Sequence, residues 1–324
     1  MKDGLIFANA RAKAKESNLL TKERLQRMLE AKSVNDAIRI LLEVNYAGGL
    51  IPDGEDFYPL LTEEERIVTE FVRSTVPDGA GFECFFLRND YHNIKVLFKA
   101  KYGNFTDTEG MILPDGNYTF SYLKERFESG KLDFSPYISA ACEKINKAFE
   151  TGVGGPRLID TVLDKALYDD IASRLPNADK YIKTYFTAFI DTTNVASFMR
   201  SVKVGGNFAF FEEGFLNGGI LTLKDFEECG NDSARAIALL KKTEVKEHFS
   251  EIKETDAAVF ETAQDNFLLK IFSVNKTDMF SVAPILGYYL AKINEIKVLR
   301  VVLVCIKNKV APEEMRKRVR ELYA

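Results

Sequence analysis

The chain has 324 residues, 46% hydrophobic and 28% charged, which is enough apolar material for the cores of two or three domains. Its 44 lysines and arginines are scattered among 48 acids, for a net charge of −4. No block of cations matches a phosphate backbone, so the composition excludes nucleic acid as a partner. The cysteines Cys84, Cys142, Cys229 and Cys305 lie far apart with no Cys-x-x-Cys spacing. They are expected to be small apolar core residues in a reducing compartment.

Taken in chain order, the pattern is helical. Leu25, Met28, Leu29, Ile38, Leu41 and Leu42 recur at 3.6-residue spacing, as do Ala234, Ile237 and Leu240. Thr21 precedes the first of these runs and is expected to cap its helix through the hydroxyl. Thr119 and Thr222 offer the same cap, and all three follow turn material: Ser17-Asn18, Asp115-Gly116-Asn117 and Asn217-Gly218-Gly219. Val298–Cys305 is β-branched enough to suggest a strand, but its place after Asn294 favours helix. Glu313–Arg320 places acids before bases, as a closing helix does to complement its dipole, with Pro312 in its first turn. The longest apolar stretch, Ile296–Ile306, is broken by Lys297 and Arg300 and falls short of the ~20 residues of a membrane span. No secretory leader is evident. The expectation is a peripheral protein on the cytoplasmic side, meeting a membrane only through a partner.

A marker recurs three times: an Asn, then a cation six residues on, with apolar residues at the fourth and fifth places. It occurs at Asn93/Lys99, Asn194/Arg200 and Asn294/Arg300, with intervals of 101 (194−93) and 100 (294−194) residues. The capping threonines recur in step with it. The chain therefore reads as all-α, made of three similar helical repeats, 1–105, 106–205 and 206–324. The breaks fall in Tyr102–Asn117 and Val204–Gly219, both rich in glycine. The apolar positions Leu97/Phe98, Phe198/Met199 and Val298/Leu299 are expected in the cores. The Asn is expected to hydrogen-bond a neighbouring element, and the cation to meet an acid or a partner.

Acid pairs four residues apart, Asp160/Asp164 and Glu261/Asp265, each share one helical face. With a divalent metal they would suit a hydrolase or lyase, but a duplicated pair with no histidine at matching spacing fits a structural ion-pair face better. His92 and His248 are the only histidines and sit near no cysteine at zinc-ligand spacing. Val153-Gly154-Gly155 and Val204-Gly205-Gly206 match neither a phosphate loop nor a dinucleotide fingerprint, and read as turns. No catalytic residue, metal site or cofactor is expected.

Several stretches resemble the C subunit of the A-type and V-type rotary ATPases, a relative of the eukaryotic d subunit. They are Ala8–Thr21, Asp90-x-x-Asn93-Ile94-Lys95, Asp191-x-x-Asn194, Gly218-Gly219-Ile220 and Glu295–Arg300 running on to Tyr323. One departure stands out: Ala291 occupies the place of Asp90 and Asp191, so the third helix is expected to make a different contact at that point. The resemblance implies a pseudo-threefold funnel of three helical domains, without catalytic activity. It implies a socket that receives central-stalk subunits D and F and sits on the membrane rotor ring of c/K subunits, so that rotation passes through it during ion transport or ATP synthesis. Lys95, Lys99, Arg200, Lys297 and Arg300 are the candidate partner-binding residues, with Asn93, Asn194 and Asn294 as the structural markers of the repeat. The alternative from the triplication alone is a free-standing helical adaptor for other partners.

Overall fold

The computed structural model describes residues 2–103, 108–243, 245–246, 257–274, 276–316, 319 and 322. Among the described residues every regular element is helical and no strand occurs. Contacts gather the chain into two compact units: Met1–Asp78 with Asp265–Ala324, and Gly79–Gln264.

The first unit is made from both ends of the chain. Helices α1 (Lys2–Glu16), α2 (Lys22–Leu29), α3 (Val34–Leu42) and α4 (Tyr58–Thr75) pack against α14 (Ala283–Lys307), while α15 (Pro312–Arg316) lies on α2. The amphipathic order of the sequence explains this. Leu25, Met28, Ile38, Leu41, Leu60 and Leu61 each turn inward and meet Val298, Leu299, Val302 and Leu303 of α14. The β-branched Val298–Cys305 run is helical because α14 is covered on nearly every side, and burial overrides its intrinsic preference. The closing helix expected over Glu313–Arg320 is described only through Arg316. Residues 317, 318 and 320 lie outside the described set.

The second unit runs through α5 (Glu83–Gly103), α6 (Phe120–Glu128), α7 (Pro136–Glu150), α8 (Pro156–Arg174), α9 (Lys180–Lys203), α10 (Phe208–Gly214), α11 (Leu223–Glu227) and α12 (Ser233–Leu239). Helix α8 packs on both α5 and α7, and α9 packs on α10 and α12. Phe198, Phe211, Phe215 and Phe226 form a ring cluster at the α9 end, with centroids 4.9 to 6.0 Å apart. The boundary between units falls inside α13 (Ala257–Val274).

Each predicted cap forms. The Thr21, Thr119 and Thr222 hydroxyls accept the backbone N–H of Arg24, Tyr122 and Asp225, so the three short helices α2, α6 and α11 begin where the sequence places them. All six apolar positions of the repeat marker are buried. Cys84, Cys229 and Cys305 are buried and all four thiols are free. Burial pushes the Cys84 and Cys142 thiols up to about 12, which leaves them unreactive near neutral pH.

Candidate functional site

The three long helices carrying the marker, α5, α9 and α14, each receive a loop leading into a Thr-capped short helix. The geometry is sharpest in the second unit. Asn93 on α5 grips the Leu113 peptide from both sides: its Nδ2 donates to Leu113 O at 2.8 Å and its Oδ1 accepts Leu113 N–H at 2.9 Å. Asn194 on α9 does the same to Leu216, at 2.8 and 2.9 Å. Leu113 and Leu216 each stand six residues before the capping threonine.

One turn back on each helix is an aspartate. The Asp90 carboxylate accepts the backbone N–H of Asn117 and of Tyr118 at 2.9 and 3.0 Å. Asp191 accepts those of Ile220 and Leu221 at 3.1 and 2.9 Å. These amides are the two before each capping threonine. The loop entering each short helix thus has the two amides ahead of its cap satisfied by a buried carboxylate, and the helix N-terminus beside it favours negative charge. Burial raises the Asp191 pKa against the opposing pull of its two amides. A glycine three residues before each threonine makes room: a Cβ at Gly116 would stand 3.0 Å from the Asp90 Cγ, and one at Gly219 2.9 Å from the Asp191 Cγ. These glycines are needed for space rather than for φ.

The third long helix solves the same problem with other residues. Its lead-in loop comes from the N-terminal end of the chain, and Leu20 N–H, the amide before Thr21, goes to Glu295 Oε2 at 2.6 Å. Ala291 carries no acceptor. Glu295 lies one turn further along, and helical side chains lean toward the N-terminus, so its longer arm covers the spot above residue 291. The position matching Leu113 and Leu216 is Lys15, which lies inside α1 rather than in a loop.

Lys95 and Lys99 on α5 pair with Asp164 and Asp160 on α8, Lys99 at 2.7 Å. These pairs bridge the 105/106 boundary expected from the sequence, as do the bonds of Asp90 and Asn93 to residues 113–118. Lys297 meets Asp265 at 3.7 Å. The side chain of Glu261, the other acid of that pair, lies outside the described set. Arg200 and Arg300 stand exposed on α9 and α14, the former 3.4 Å from Ser197 Oγ. His92 Nε2 meets the Met111 carbonyl oxygen at 2.8 Å, and His248 is outside the described set. Sequence reasoning misses Glu64 and Lys292, which are buried beside Glu295. It also takes Gly116 and Gly219 for turn residues only. The available signal is their shared place three residues before a capping threonine.

Residues 8–318 match the ATP synthase (C/AC39) subunit family. The chain belongs to that family. Among curated relatives, the C subunit of the V-type sodium ATPase of Enterococcus hirae is 23% identical over 333 residues, covering 97% of this chain and 98% of that one. The C subunit of the A-type ATP synthase of Methanothermobacter thermautotrophicus is 25% identical over 348 residues, covering 97% of this chain and 86% of its own. The C subunit of the V-type ATP synthase of Thermus thermophilus is 22% identical over 229 residues, covering 68% and 69%. The family match spans both units. Among the described residues no helix is long and apolar enough to cross a membrane.

Proposed function

We propose that this family member is the non-catalytic socket of a V/A-type rotary ATPase, joining central-stalk subunits D and F to the c/K rotor ring. The observation that carries this reading is the family match along nearly the whole chain, held by a chain whose helices α5 and α9 repeat one loop-docking scheme. A repeated, helix-built body suits such a role. One shaft and one ring can be held by quasi-equivalent contacts, and packed helices transmit torque with little give.

In this reading the chain comprises three repeats arranged as a pseudo-threefold funnel, each centred on α5, α9 or α14. Arg200 and Arg300, exposed six residues after Asn194 and Asn294, make polar contacts with the partners. Lys95, Lys99 and Lys297, near aspartates of neighbouring helices, set the surface around them. The chain works on the cytoplasmic face and reaches the membrane through the ring.

Reconstitution tests the proposal. The purified chain should bind the D–F pair and connect it to the ring, and ATP hydrolysis should couple to ion movement only when the chain is present. Unchanged coupling in a complex lacking it would overturn the socket role.

A further inference from the structure

Glu64 on α4 and Lys292 and Glu295 on α14 form a buried charged cluster whose members are at most 6% exposed. Lys292 Nζ stands 2.7 Å from Glu64 Oε1 and 2.8 Å from Glu295 Oε1, and 3.4 Å from the Asn18 carbonyl oxygen. The second oxygen of each glutamate takes a backbone amide: Glu64 Oε2 that of Ala47 at 2.7 Å, Glu295 Oε2 that of Leu20 at 2.6 Å. The Tyr46 ring lies 5.1 Å from the ammonium. Two carboxylates pull the Lys292 pKa upward against the desolvation that opposes its charge, so the ammonium stays protonated. The corresponding residues on α5 and α9 are Tyr91 and Thr192, which carry no positive charge.

The loop that this cluster holds also differs from its two counterparts. Where Gly116 and Gly219 leave space for an aspartate, the N-terminal loop has Asn18. A side chain at that place would run into Asp90 or Asp191, because even a Cβ stands within 3.0 Å of the carboxylate carbon there. The N-terminal loop is thus sterically barred from an Asp-bearing helix. Conversely, either glycine-bearing loop seated on α14 would face Ala291, and Glu295, which gives one oxygen to a loop amide and the other to Lys292, would leave one of its paired amides without an acceptor. Buried ionic groups are best attested as devices that fix register and pairing, and here the steric and electrostatic halves of such a device coincide.

We infer that Glu64, Lys292 and Glu295 form an ionic latch that assigns the N-terminal segment to α14 and keeps the two other lead-in loops off it. Three similar loops and three similar helices in one chain allow several wrong pairings. The latch selects the one that joins residues 275 positions apart and closes the chain on itself.

Amide hydrogen exchange on the full-length chain tests it. In E295A, the Leu20 amide should exchange about tenfold faster or more, the scale of one lost charge-assisted bond, while the Leu221 amide is unchanged. Adding A291D together with N18G should restore Leu20 protection, because this rebuilds the aspartate–glycine scheme of the other two helices. Adding A291D alone should fail, since Asn18 blocks the new carboxylate. Unaltered Leu20 exchange in E295A, no recovery with A291D/N18G, or full recovery with A291D alone would each overturn the latch. If E295A does not fold, a folded A291D/N18G/E295A chain with protected Leu20 supports the inference, and its failure to fold overturns it.

Discussion

The loops docked on α9 and α14 reach one end by different means, and the contrast shows what docking requires. On α9 a lone aspartate accepts two amides and a glycine clears its path, and among the described residues no cation bonds its carboxylate. On α14 a glutamate one turn away accepts one amide and is tied to a lysine shared with a second glutamate. The common requirement is a buried acceptor for the amides ahead of the capping threonine, since an unsatisfied buried N–H costs about 1–3 kcal/mol. How the acceptor is supplied is free to vary. The α9 scheme depends on space, whereas the α14 scheme depends on charge balance, so the two should break differently.

The largest effect is expected from Lys292→Met. It strands Glu64 and Glu295 without their cation and should lower stability by about 3–5 kcal/mol in urea unfolding, the usual cost of breaking a buried ion pair from one side. Asp191→Ala attacks the other scheme. It leaves the Ile220 and Leu221 amides without their acceptor and should cost about 3 kcal/mol in the same measurement. The comparison sharpens at the position three residues before the threonine. Gly219→Ala should destabilise by about 1–3 kcal/mol because its methyl meets the Asp191 carboxylate, a case of overpacking. Asn18→Ala, at the matching place on a loop with no aspartate opposite, should change stability by less than about 0.5 kcal/mol. Equal effects at Gly219 and Asn18 would show that the two schemes do not differ as described.

The last prediction concerns the cap itself. Asp225 completes a capping box with Thr222 and pairs with Lys242, which hold its carboxyl down at about 2. Its folded pKa lies below the ordinary aspartate value of about 3.9, so its contribution is complete above that value and fades as pH falls toward 2. Chemical shifts of the α11 amides followed between pH 5 and pH 2 should show the helix start loosening in that window. In Asp225→Asn the same window should be flat.

Much of this organisation is legible without coordinates. The capping threonines, the helical period and the recurrence of Asn with its apolar pair depend on local rules, in which a residue's type and spacing fix what its backbone and near neighbours do. The departure at Ala291 also shows in the chain as a missing aspartate. The phase of the repeat is less accessible. The expected boundary at 105/106 runs between α5 and the loop that Asp90 and Asn93 hold, because sequence spacing orders residues along the chain and says nothing of which helix a loop settles on. Likewise Asp160 and Asp164 are visible as one helical face, but their partners Lys95 and Lys99 come from an element 61 to 69 residues earlier.

The sequence alone determined that this is a helical chain with three phased copies of a capped motif, since those features follow from covalent order and local hydrogen bonding. Only the tertiary structure decided that the two chain ends build one unit around α14 and that Glu295 replaces the missing aspartate with Lys292 and Glu64 beside it. The physical reason is distance along the chain. Local propensities act over a few residues, whereas a buried charge is stabilised only by groups that folding brings from far away, here from positions 18, 64 and 292–295.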